Sequence, residues 1–178
     1  MRRTQALLLV GALCLVAVGC GMGAPTPVAS ARAVGSGSRF QLDFSVPRTD
    51  WRTTDSITGE AKLSFLGSGR VSISGSEFIE FEFDEVGGSR SVVPVSDLVC
   101  AVRDLDAENS ITLPITKSGA WDPADPNDAF LQSFFANSQV QLPAGDWTIT
   151  AIASFIESGD CSGPVETLRA SVVVHVAA

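Results

Sequence analysis

A chain of 178 residues with 12 basic and 20 acidic side chains carries a formal net charge of −8, and such a surface repels phosphate backbones, so nucleic acid is not an expected partner. One histidine and four cysteines leave little material for a protein metal centre or a histidine-based catalytic set, and no cofactor is expected.

Arg2 and Arg3 open the chain, residues 6–18 form a short apolar segment, and Ala17-Val18-Gly19-Cys20 is a run of small residues ending in a thiol. The segment is too short for a mature transmembrane helix, which needs about 20 apolar residues. This arrangement resembles a bacterial lipoprotein signal. The resemblance implies that residues 1–19 are a signal peptide and that Cys20 becomes the lipidated first residue. It also implies that the protein is held by its lipid on the extracytoplasmic face of a bacterial cell membrane or envelope. More than one acyl chain would be buried, at about 0.8 kcal/mol for each methylene. The alternative is ordinary secretion with cleavage after Ala29-Ser30-Ala31, a small-x-small site about a dozen residues beyond the apolar segment. Past Cys20 the chain is rich in Gly, Ala, Ser and Pro, and residues 20–38 read as a lipidated cysteine with a flexible tether of about 23 Å r.m.s. reach. Removing the leader with its two arginines leaves 10 basic against 20 acidic residues, a net charge of −10.

Residues 39–178, 140 in number, have the length of one domain with a sizeable core. Period-two alternation runs through them. Phe40, Leu42 and Phe44 alternate with Gln41, Asp43 and Ser45; Ala61, Leu63 and Phe65 with Glu60, Lys62 and Ser64; and Ile79, Phe81 and Phe83 with Glu80, Glu82 and Asp84. Val71 with Ile73, and Ile111 with Leu113 and Ile115, add two strands, and the run around Val99 to Val102 reads as a buried strand holding Cys100. Trp147, Ile149, Ala151, Ala153 and Phe155 mark the penultimate strand, and Leu168, Ala170, Val172, Val174 and Val176 the last. Glycines at 67, 69, 87, 88 and 145 punctuate the pattern as turns. One segment breaks the rhythm: Asp125 as N-cap, Pro126 at the first helical position, then Phe130, Leu131, Phe134 and Phe135, which predicts a short helix across one end of the fold. The fold class is therefore all-β, an antiparallel β-sandwich of about seven to nine strands with one short helix.

The two ectodomain cysteines, Cys100 and Cys161, are expected to pair, stapling a turn to a strand in an oxidising compartment; two free thiols, or part of a metal site for which two thiols and one histidine are a poor set, are the alternative readings. The terminal pair of strands, from Trp147 through Phe155 and from Leu168 to Val176, resembles the closing hairpin of immunoglobulin-like and fibronectin type III-like modules. That resemblance implies a sandwich used for adhesion, binding or spacing, or as a proteinase inhibitor. The chain departs from antibody-type domains in having no tyrosine for a tyrosine corner.

Candidate chemistry is sparse. His175, the sole histidine, lies on the last strand facing away from Val174 and Val176, where a structural imidazole is the expected case and no nucleophile motif accompanies it. Asp122, Asp125, Asn127 and Asp128 offer oxygen ligands in one loop, but two prolines interrupt calcium-loop spacing, and capping with solvation is the preferred reading. Asp104, Asp106 and Glu108 read as a solvated turn. Trp121 in that same proline-containing loop is the candidate anchor for a partner, with Asp122 and Asp125 beside it, although a core role for Trp121 fits as well; Trp51 carries the same ambiguity. The expected function is non-catalytic: a lipid-anchored envelope protein whose sandwich binds an envelope protein or glycan or acts as a spacer. The alternatives are a proteinase-inhibitor-like module and, least favoured, an enzyme.

Overall fold

Alternation of buried and exposed side chains governs the strands of the computed structural model, which describes residues 29–34, 39–95, 99–122, 124–125 and 127–178. Cys20 and the leader lie outside these residues, as do Pro123 and Pro126. In the first sheet, β1 (Ala29–Val34), β2 (Phe40–Val46), β4 (Glu60–Phe65) and β9 (Ile111–Pro114) are neighbours in that order, each pair antiparallel. β2 buries Phe40, Leu42, Phe44 and Val46, and β4 buries Ala61, Leu63 and Phe65. Each such large apolar side chain contributes about 1.5–3 kcal/mol through burial.

The second sheet is built on β10 (Gly145–Ile156) and β11 (Val165–Ala177), an antiparallel hairpin paired along its whole length. β11 carries β3 (Asp50–Arg52) on its outer side, a parallel pairing. On the other side of β10 lie β5 (Val71–Gly75) and β6 (Glu80–Glu85), set end to end. Ile156 pairs with Ser74 while Ile152 pairs with Glu80, so residues 75–79 stand opposite residues 153–155 and form a bulge. The margin is completed by β8 (Ala101–Leu105) against β5 and β7 (Ser91–Val92) against β6.

The sheets meet through aromatic rings. The Phe40 and Phe155 centroids are 4.6 Å apart and those of Phe44 and Phe81 5.7 Å, both tilted, the geometry that ring quadrupoles favour. These contacts also fix the directions: the Phe40 end of β2 lies over the Phe155 end of β10, next to the hairpin loop at 157–164. The opposite end is covered by α1 (Asp128–Ala136), whose Phe134 packs 5.4 Å from Phe83 and whose Phe130 packs 5.5 Å from Trp147. The helix thus crosses one end of the sandwich.

Several expectations change. Ala29–Val34, inside the segment read as tether, pairs as β1 along the whole of β2. With β3 and β7 this brings the described strands to eleven, above the seven to nine expected. The strand expected to bury Cys100 begins only at Ala101, and Val99, Cys100 and Val102 are exposed. The reason is position, since β8 is the outermost strand at its margin, and of its residues Leu105 is buried in the core while Ala101 packs partly buried against it. The helix N-cap is Asn127, not Asp125, and it makes no side-chain capping bond.

Candidate functional site

The loop predicted to bind a partner leaves β9 and runs to α1. Lys117 turns back toward the helix, donating from Nζ to the carbonyl oxygens of Phe134 and Asn137, and its ammonium lies 4.3 Å from the Phe134 ring centre. Burial pulls its pKa below the ordinary lysine value. Gly119 has φ +133°, a conformation that side chains rarely adopt, and a Cβ there would stand 3.1 Å from the Val93 carbonyl oxygen. Beyond it Trp121 is 38% exposed and Asp122 is exposed, while Asp125 is half-buried.

Both aspartates serve the turn. Asp122 Oδ1 accepts the Ala124 N–H at 2.9 Å, and its carbonyl oxygen accepts the Asp125 N–H at 2.8 Å. Asp125 Oδ1 accepts the Asn127 N–H at 2.7 Å. These are Asx turns, which hold the loop ahead of the helix without capping it. Among the described residues no group of three or more His, Cys, Asp or Glu side chains is placed to hold a metal ion.

Trp51, the other ambiguous tryptophan, is a core residue at 4% exposure; its Nε1 donates to the Arg48 carbonyl oxygen at 3.1 Å under the Arg48 guanidinium. His175 faces solvent, with Nδ1 2.7 Å from Asp146 Oδ1 across the β10–β11 register. Ser171, on the same face of β11, shares a 2.8 Å hydrogen bond with Thr150 and is not aligned on the imidazole by any hydrogen bond.

A second region lies at the far end of the second sheet. Cys100 and Cys161 are joined by a disulfide, with Cα atoms 6.0 Å apart, linking the start of β8 to the β10–β11 loop. The loop has its own frame: Asp160 Oδ1 accepts from both the backbone and hydroxyl of Ser162, which holds the Asp160 carboxyl below its ordinary pKa. Cys161 takes a left-handed φ of 56° and donates its N–H to the Oγ of Ser74 at 3.0 Å. Beside the bridge, Val99 donates its N–H to Ser76 Oγ at 3.2 Å.

Between these two attachments, over the β5–β6 bulge, opens a cleft of about 360 Å³. Its walls include the disulfide, Val99, Ile156 and Val165, and among the described residues the charged ones lining it are Glu77, exposed, and Glu80, buried. The cleft had no sequence signal beyond the cysteine pair, because the bulge between β5 and β6 follows from how both strands pair with β10 and leaves no mark in the local residue pattern. Trp121 and this cleft are separate features; the fold does not bring them together. Comparison with protein-family models and with curated proteins gave no match.

Proposed function

We propose that this chain is a lipid-anchored, non-catalytic protein of the bacterial envelope, tethered through Cys20, whose immunoglobulin-like β-sandwich binds another envelope component. The observation that carries the anchor is β1. Cleavage after Ala31, the alternative route of processing, would remove three residues from a strand that is paired with β2 from Ala29 to Val34. Processing before Cys20 leaves that strand whole. The Cys100–Cys161 disulfide fits the oxidising compartment that export implies.

Strand order supports the immunoglobulin-like reading. β4 and β9 pair in one sheet, and β11, β10 and the β5–β6 run are neighbours in the other, in the manner of the B–E and G–F–C sets of that architecture. The chain differs from antibody domains in its bridge, which ties the start of β8 to the β10–β11 loop of the same sheet rather than joining the two sheets. Binding at the Trp121 loop is supported by an exposed indole on a turn that its own aspartates hold in shape.

The anchor is tested by membrane fractionation of cells carrying Cys20→Ala. The expected result is loss of membrane retention with the Cys100–Cys161 bridge still formed. Retention equal to that of the native chain overturns the proposal.

A further inference from the structure

We propose that the cleft beside the Cys100–Cys161 bridge binds a small organic cation, an alkylammonium ion whose aliphatic stem lies in the cleft and whose charged head meets Glu77. At about 360 Å³ the cleft lies at the lower end of the range of ligand pockets, roughly 300–1,000 Å³, which sets the ligand's size as small. Its walls are apolar, and two of them are costly to leave in water: Val99 is 60% exposed and Val165 64%.

Charge decides the class of ligand. Glu77 and Glu80 are acidic and no basic residue among the described residues lines the cleft, so a carboxylate or phosphate would be repelled. Glu77 is exposed and makes no hydrogen bond or ion pair within the described residues, which suits its carboxylate to take an ammonium group at the cleft. The stem supplies the apolar burial and the head supplies the selectivity.

The cleft is also formed in advance. One wall is held to the floor by the Cys161 N–H on Ser74, the other by the Val99 N–H on Ser76, and the disulfide joins the two. A ligand entering such a site orders little of the protein, which removes a main cost of weak binding. The site does not depend on how the chain is anchored, so a failure of the membrane experiment leaves it standing.

The test is methyl NMR on the protein as processed and purified from cells, titrated in turn with hexylammonium, hexanol and hexanoate. Hexylammonium is expected to shift the methyl signals of Val99, Ile156 and Val165 saturably, to bind more tightly than hexanol, and to leave hexanoate the weakest. Glu77→Gln should weaken hexylammonium about threefold, the size of an exposed ion pair, and Glu77→Lys should abolish its advantage over hexanol. Unchanged methyl signals from the core residues Leu63 and Ile149 show that each variant is folded. Equal binding of hexylammonium and hexanol, the absence of saturable shifts, or an unchanged affinity in Glu77→Gln overturns the proposal.

Discussion

Lys117 Nζ donates to the carbonyl oxygen of Asn137 at 2.7 Å and so closes the C-terminal end of α1 from a loop upstream of the helix. The last carbonyls of a helix lack intrahelical partners, and a cation placed there also meets the negative end of the helix dipole. Lys117→Met keeps the apolar stem and removes the donor. Urea denaturation should show a loss of about 1–2 kcal/mol, the scale of hydrogen bonds to a charged group at a helix end. A variant as stable as the native chain would mean that water caps the helix equally well.

Arg90 lies over the rings of Trp147 and Phe130 and donates from Nε to Glu85 Oε2 at 2.9 Å. This hydrogen bond holds the Glu85 carboxyl below its ordinary value of 4.5. A depressed carboxyl stabilises the native state above the unfolded-state pKa, and that contribution disappears as the pH falls through the native-state value. Glu85→Gln should therefore be about 1–2 kcal/mol less stable at neutral pH, with the gap closing as the solution is acidified below 4.5. A constant gap across the acid range would assign the loss to packing instead.

Replacing both Cys100 and Cys161 by Ser frees a loop with a sequence separation of 61. The chain-entropy relation gives a loss of about 4 kcal/mol, read from the chemical denaturation midpoint. The native chain, unfolded without reductant, should leave both thiols unlabelled.

The tryptophans should behave in opposite ways. Trp51→Ala opens a cavity in the core and should cost about 3–5 kcal/mol. Trp121→Ala removes a side chain that is 38% exposed and should cost less than about 1 kcal/mol, measured by thermal melting. A loss at Trp121 matching that at Trp51 would place it in the core and end its candidacy as a binding anchor.

The strands that sequence reveals are those with one dry face. Phe81 and Phe83 against Glu82 and Asp84 alternate because β6 faces the core on one side and carries its acids on the other. Even there the outward residues are partly covered: Arg169 reaches from β11 across β10 to Glu82, and Thr150, outward-facing on β10, is buried. β1 escaped notice because Ala29-Ser30-Ala31 offers no apolar contrast and equally fits a processing site. β3, three residues long, is too short to show a period. Asp125 was misplaced by two residues because an aspartate before a helix satisfies an Asx turn as readily as a cap. Cysteine parity foretold the bridge, but not that the loop around it would roof a cleft. Nothing local separates Trp51 from Trp121, since their difference lies wholly in which parts of the fold close over them.

The pairings of Ala29 with Val46 and of Ala177 with Arg52 put the start of β1 and the end of β11 at the same pole of the sandwich, the one that α1 covers. Whatever chain precedes Ala29 and whatever follows Ala178 therefore departs from that pole. Modules strung like beads need their exits at opposite poles so that tension passes down the long axis. In this sandwich a pull between the two flanks is applied at one pole, through β1 and β11, and does not run along the long axis. Both flanks thus share one end of the sandwich, and the Cys100–Cys161 bridge lies at the other.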